Sequence, residues 1–343
     1  VQTITLLTDY KGFFGSNYDA IPYRSGFDKN KLKELFFNYN YKTEFLSFSE
    51  ALKSNNWANK WVLYTSNEEP DYYYKSFIED VMMYLKLNGA NLIPPIELLR
   101  ANNNKSFMEL YKSQLLDQKN TLPSFVFGTL EEAMAHKNDF TYPLVFKPAD
   151  GAMSAGVALV KNESELIQQI KKHNKTASFK RKIKEFVREK KHIGYKRDSF
   201  YQRKFILQAF IPKLQNDWKV LIFGDQVYIL KRGVRKNDFR ASGSHIGYKA
   251  GKEADFPLHK LDELVGFKNK IDIPHISIDY VYDGKNGHVI EFQGIYFGLS
   301  THNYCKEYFI KENGKWIAKP NTMTKEDLYV YSIVDYLNEK NAH

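Results

Sequence analysis

His275-Ile276-Ser277-Ile278-Asp279-Tyr280-Val281-Tyr282 and Val289-Ile290-Glu291-Phe292-Gln293-Gly294 are two apolar runs separated by Asp283-Gly284-Lys285-Asn286-Gly287. Both runs have the residue types of β-strands, and the Gly/Asn-rich stretch between them has the chemistry of a turn, so together they predict a β-hairpin. Residues two apart on a strand project from one face, which puts Glu291 and Gln293 side by side. The return strand brings Asp279 alongside them. Hard oxygen donors converging on rigid backbone suit Mg²⁺, which takes about six oxygens and shares them with phosphates and water. The pattern therefore points to a nucleotide-triphosphate site and prompts a search for cationic groups upstream.

The chain of 343 residues is long enough for two or three domains, and 43% hydrophobic and 15% aromatic residues exclude a disordered protein. No run approaches the ~18 apolar residues of a membrane span. The N-terminal Val-Gln-Thr-Ile-Thr-Leu-Leu reads as a first strand rather than a signal peptide. The single cysteine, Cys305, has no partner for an internal disulfide and no His and acid at a recognisable spacing. A reducing, cytoplasmic setting is the expectation. The net charge of +10 is concentrated: residues 171–204 carry 14 Lys/Arg against the acids Glu185, Glu189 and Asp198, leaving the rest close to neutral. Such a segment is either a solvated helical hairpin or a surface for a polyanionic substrate, anionic lipid or nucleic acid. Nucleic acid is disfavoured, because no RNA-binding signature accompanies the charge.

Strand-like runs at Thr3–Leu7, Thr43–Leu46 and Trp61–Tyr64 alternate with helical spacing over Lys31–Tyr39 and Tyr72–Leu87, the pattern of a small α/β domain with a parallel sheet. Pro94-Pro95 and Ala101-Asn102-Asn103-Asn104 break the chain, and a helix is expected from Lys105 to Gln118. Pro143-Leu144-Val145-Phe146-Lys147-Pro148 is a buried-strand pattern ending in a lysine, followed by the small-residue loop 149–156 and a further strand. Small side chains admit backbone N–H groups to phosphate oxygens, and a lysine adds a point charge. Downstream lie an apolar strand over 205–212 and two alternating strands joined at Gly224-Asp225. These bring Lys219, Arg232 and Arg240 to strands or strand ends.

Taken in order, these motifs resemble the ATP-grasp superfamily over residues 100–300. The nearest likeness is to its ribosomal-protein glutamate ligase branch, with D-alanine–D-alanine ligases further off. Three matches carry it: Phe146-Lys147 through Gly156-Val157; Asp217-Trp218-Lys219 through Asp238-Phe239-Arg240; and Asp279, Glu291 and Gln293. The resemblance implies an N-terminal α/β domain at 1–97 and an ATP-grasp fold of two α+β subdomains at 98–343. It further implies a lid at about 124–209 with the basic insert 171–204, and a metal-binding subdomain at about 210–343.

It also implies roles. Lys147, with Lys105 or Lys112, would meet the ATP phosphates under a flap at Gly151, Ser154 and Gly156. Gln208, Phe210 and Ile211 would hold adenine, and Asp217 would reach the ribose. Lys219, Arg232 and Arg240 would serve catalysis, while Asp279, Glu291 and Gln293 would bind one or two Mg²⁺, with Mn²⁺ as substitute. The implied activity is an ADP-forming carboxylate–amine ligase working through an acyl phosphate on an amino acid, peptide or cell-surface sugar precursor. A phosphotransferase and a non-catalytic nucleotide-binding module are the alternatives.

Ala209 stands where the family hinge has Glu, Lys219 replaces an arginine, Gln293 replaces asparagine, and Gly294–Leu299 replaces a polar, proline-containing loop. His245 is the candidate general base. The aromatic loop from Asp9 to Tyr18, with Phe13 and Tyr18, is the candidate acceptor-binding segment.

Overall fold

The computed structural model describes residues 2–16, 20–117, 120–151, 156–235 and 246–342. They form two compact units, one of residues 1–102 with 214–343 and one of residues 103–213.

The first unit opens with β1 (Gln2–Thr8), α1 (Lys29–Asn38), β2 (Tyr41–Ser47), α2 (Phe48–Ala51), β3 (Trp61–Leu63), α3 (Tyr73–Leu87), β4 (Asn91–Ile93) and α4 (Ile96–Ala101). The strands pair in the order β2-β1-β3-β4, all parallel, as the alternation of strand and helix predicts. Ile4, Leu6 and Leu7 of β1 have no exposed surface, the near-continuous burial of a parallel strand covered on both faces. On α3, Ile78, Val81, Met82 and Leu85 recur at helical spacing and are buried.

The second unit holds α5 (Lys105–Leu115), β5 (Ser124–Phe127), α6 (Leu130–Ala135), β6 (Leu144–Pro148), β7 (Ala158–Val160), α7 (Glu163–His173), α8 (Phe179–Lys191) and β8 (Phe205–Ala209). Its sheet runs β5-β8-β6-β7 with antiparallel pairing. Phe146, Val160, Phe205 and Leu207 from this sheet pack with Leu166 and Ile170 of α7 in one core. The basic segment differs from the expected helical hairpin. It holds the last turn of α7, all of α8, and then a stretch from 192 to 204 without helix. Gly194 takes a φ of 82° there, and Glu185 of α8 accepts hydrogen bonds from the Tyr195 hydroxyl and the Asp198 amide, folding the tail onto the helix.

The first unit resumes with β9 (Asn216–Phe223), β10 (Gln226–Gly233), β11 (Lys249–Ala250), α9 (Leu261–Ile271), β12 (His275–Tyr282), β13 (Gly287–Gln293), α10 (Ser300–Tyr304), β14 (Glu307–Glu312), β15 (Lys315–Pro320) and α11 (Lys325–Asn341). Six of these strands run in the order β13-β12-β9-β10-β14-β15, and β11 pairs with β10. Directly opposed residues of an antiparallel sheet share a face. Thus Trp218, Ile278, Tyr280 and Phe292 lie on the face that meets Phe256 and, through Phe267, α9. The other face is apolar at one end, where Leu221, Phe223 and Tyr228 pack with Leu328, Ile333 and Leu337 of α11. Its opposite end is charged. The predicted hairpins at Gly224-Asp225 and 283–287 are both present. The α/β expectation, with a small parallel sheet followed by α+β structure, is borne out.

Gly287 opens β13, and a Cβ there would lie 1.5 Å from the Tyr280 hydroxyl oxygen. Tyr280 is 1% exposed and has nowhere to retreat. Gly287→Ala is therefore expected to cost ~1–3 kcal/mol by overpacking, measured as a fall in the urea midpoint. An unchanged midpoint would contradict this packing.

Candidate nucleotide and metal site

Alternation along β9 sends Asp217, Lys219, Leu221 and Phe223 to the face that carries the charged end. Register then assembles a row across four neighbouring strands. Arg232 of β10 is opposite Asp217, Asp279 of β12 is opposite Lys219, and Glu291 of β13 is opposite Asp279. Gln293 is opposite Ser277, two residues along from Glu291 on the same face. A register irregularity follows Asp279, so the pairing resumes at Tyr280 and Val289.

Arg232 is the centre of this row. Its Nε and Nη2 donate to the two carboxylate oxygens of Asp217, each at 2.7 Å, and Nη2 also lies 2.9 Å from Oδ2 of Asp279. Lys219 Nζ donates to the other oxygen of Asp279 at 3.4 Å. Arg232 is 5% exposed, so its charge is tolerable only because it is paired and hydrogen-bonded. Burial pushes the Asp279 carboxyl upward, but the charges of Arg232 and Lys219 outweigh it and hold the group down at about 2. Burial raises the Asp217 carboxyl to about 6, against the pull of Arg232. Gln293 Nε2 donates to Oε1 of Glu291 at 3.3 Å.

The oxygens of Asp279, Glu291 and Gln293 are the donor type that Mg²⁺ or Mn²⁺ takes. Among the described residues, no three His, Cys, Asp or Glu converge as a metal cage. Both carboxylate oxygens of Asp279 are engaged by Lys219 and Arg232, and Glu291 Oε1 by Gln293, so the fit to such an ion rests on the oxygen chemistry of the three side chains alone.

The second unit places the lysines. Lys105 opens α5 behind the Asn104 cap, its backbone N–H donating to Ala149 O at 2.7 Å and its Nζ to Gly151 O at 2.5 Å. It therefore sits against the start of the small-residue loop. Gly156, at the loop's far end, has a φ of 73°, and a Cβ would come within 2.8 Å of Pro148. Ser154, between them, lies outside the described residues, as do Arg240, His245 and Tyr18.

Lys112 lies one face-repeat further along α5, is 1% exposed, and donates to Glu109 at 2.7 Å. Gln208 joins Glu109 to Lys147: its amide nitrogen donates to Glu109 at 3.4 Å, and its oxygen accepts from Lys147 Nζ at 2.7 Å. Ser124 donates to the second oxygen of Glu109 at 3.1 Å. Of the two α5 lysines left open by sequence, Lys105 reaches the loop and Lys112 belongs to the buried network. Gln208 likewise spends its side chain bracing Lys147. Phe210 and Ile211 follow β8, half-buried. Glu109 was missed by sequence reasoning, although its spacing of three from Lys112 on an amphipathic helix is a readable sign of an ion pair.

A pocket in the first unit is lined by Phe14, Ser16, Tyr64, His275, Phe297 and Tyr329 among others. The N-terminal loop reaches it through Phe14 to Ser16, while Phe13 is not among the lining residues. Burial, with the charge of Lys268 adding, pushes the His275 imidazole down to about 3, so the ring is neutral. Burial lifts the Cys305 thiol to about 11, which removes it as a nucleophile near neutral pH.

Residues 110–198 match the family model described as the carbamoyl-phosphate synthase L chain, ATP binding domain. Among solved structures, the chain is similar to D-cycloserine synthetase, at 12% identity and TM-score 0.54, over 98% of this chain and 99% of that one. A RimK domain ATP-grasp protein from Sphaerobacter thermophilus DSM 20745 gives 12% identity and TM-score 0.51, over 98% and 99%. A macrocyclase from Microcystis aeruginosa MRC, bound to its precursor peptide, gives 12% and 0.50, over 98% and 100%. No curated protein matches the sequence. The fold is that of ATP-grasp proteins, with likeness over nearly the whole chain.

Glu109→Ala would leave the Lys112 ammonium buried without its carboxylate. A loss of about 3–5 kcal/mol is expected, read from urea unfolding, with most of it recovered when Lys112→Met is added. Equal losses in the single and double variants would count against the buried pair.

Proposed function

We propose that the protein is an ATP-dependent, ADP-forming carboxylate–amine ligase of the ATP-grasp superfamily. The single observation that carries this reading is the charged row on one sheet face. Asp279 and Glu291 are direct cross-strand neighbours, and Asp279 is held as an anion by Arg232 and Lys219. Likeness to an ATP binding domain model over 110–198 supports the nucleotide part, and the structural neighbours, a synthetase and a macrocyclase among them, support ligase chemistry.

In this reading Asp279, Glu291 and Gln293 hold Mg²⁺, or Mn²⁺ in its place. When bound, the ion neutralises developing charge on the transferring phosphoryl group. Lys105 and Lys147 supply point charges to the phosphates, with the small-residue segment bounded by Gly151 and Gly156 as the flap. A carboxylate oxygen of the first substrate attacks the γ-phosphorus, and the bond to the β-bridging oxygen breaks to release ADP. The amine of the second substrate then attacks the acyl carbon. The carbon–oxygen bond to phosphate breaks, and the amine proton passes to solvent or a base.

The protein's contribution is placement and electrostatics rather than covalent chemistry. Arg232 acts from beneath by fixing Asp217 and Asp279, and Arg240 is the cation assigned to the transferring group. The N-terminal loop that begins at Asp9 is the segment assigned to the acceptor.

Purified protein with Mg²⁺ and ATP is expected to release ADP only when a carboxylic acid and an amine are both present. Glu291→Ala is expected to lower turnover by about a hundredfold or more while leaving the urea midpoint nearly unchanged. Full activity in that variant would remove the metal assignment. A stable phosphorylated product formed without the amine would make the enzyme a phosphotransferase.

A further inference from the structure

α8 is built with its apolar side facing out. Phe179, Ile183, Phe186 and Val187 are 77%, 51%, 52% and 51% exposed, and Ile193 just beyond the helix is fully exposed. At 3.6 residues per turn, the four helical side chains fall within an arc of roughly 100°. The buried residue of the helix is the charged one, Glu185, at 1% exposure. It pairs with Arg188 at 2.8 Å and accepts from Tyr195 and Asp198. Arg181 pairs with Asp198 at 2.9 Å, and Arg197 with Glu189 at 3.1 Å.

The helix therefore packs onto its own tail through ion pairs, the reverse of a helix seated on a core. Every acid of residues 171–204 is engaged in those pairs. The outward arc is left with apolar side chains and the exposed Lys180, Lys184, Lys190 and Lys191, and no carboxylate. Lys190 Nζ lies over the Phe186 ring at 5.8 Å, a cation set on the apolar stripe itself.

We propose that α8 is an interfacial helix that docks on an anionic lipid surface. The complement of this arc must take apolar side chains together with the lysines beside and among them, and must yield to a convex single helix. An anionic bilayer meets these conditions: acyl chains receive Phe179, Ile183, Phe186 and Val187 while headgroup phosphates meet the lysines. A nucleic acid or a small phosphorylated substrate would satisfy the lysines and leave the aliphatic stripe in water. The low mean hydropathy of the helix suits lying in the interface plane rather than crossing it.

The test is co-sedimentation of the full chain with phosphatidylcholine vesicles prepared with and without phosphatidylglycerol. Binding is expected only with phosphatidylglycerol and is expected to weaken as salt rises. Lys184→Glu with Lys191→Glu should weaken it by about fivefold or more per lysine, and Ile183→Ser with Phe186→Ser should abolish pelleting. All four side chains are exposed, so the urea midpoint of each variant should stay at the wild-type value and report that folding is intact. Wild-type protein that stays in the supernatant with anionic vesicles at low salt would overturn the proposal, as would full binding by the serine variant. Capture by an acidic amphipathic peptide in place of vesicles would assign the face to a protein partner instead.

Discussion

The bridge that Arg232 makes to Asp217 and Asp279 ties three adjacent strands through one buried guanidinium. Backbone pairing sets β9, β10 and β12 in register, but it does not determine where long polar side chains point. The fork does: two parallel bonds fix the Asp217 carboxylate in plane, and the remaining donor pulls Asp279 toward the same cation. Removing any member would strand charge away from water, a larger penalty than the bridge's own net contribution. The arrangement is thus better understood as specifying side-chain geometry than as adding stability. Its electrostatic consequence is an Asp279 that remains ionised across the ordinary pH range.

The second unit aims its strand-end lysine through a neutral amide backed by a buried ion pair. Lys147 is held by Gln208, Gln208 by Glu109, and Glu109 by Lys112 and Ser124. The network links α5 to β5, β6 and β8, so the strand-end lysine is positioned by groups from every layer beneath it. Lys105 is outside this wiring and meets the loop at Gly151. One lysine is held by a side-chain amide and the other by a backbone carbonyl.

Period-two alternation and turn chemistry made the central hairpins readable, including the opposition of Asp279 to Glu291. The charge run made residues 171–204 readable as a basic segment with a helical hairpin as one reading, but not the apolar stripe of α8 or which of its faces turns inward. The inward face follows from Glu185 meeting Tyr195 and Asp198, contacts made by a tail with no periodic pattern of its own. Lys105 and Lys112 are seven residues apart on α5, hence on the same face about 10 Å apart along the axis. Spacing alone could not separate them, because their difference is depth beside the sheet. β14, β15 and α11 were not foreseen. Asn313-Gly314 between the apolar runs of β14 and β15 is a hairpin signal of the strongest local kind, and Thr324 with Asp327 caps α11.

The departures from the family pattern acquire a physical meaning once they are placed on the sheet. An arginine at 219 would compete with Arg232 for Asp279, since both would offer forked donors to the same carboxylate. Lysine at that position makes one contact, at 3.4 Å, and leaves the bidentate geometry to Arg232 and Asp217. At 293, the additional methylene of glutamine lets the amide nitrogen reach back to Glu291 at 3.3 Å. That contact orients the carboxylate from its own strand, while Asp279 is oriented from the neighbouring ones. Both substitutions therefore act on how firmly the two acidic groups are aimed, without changing the oxygen character of the donors they present.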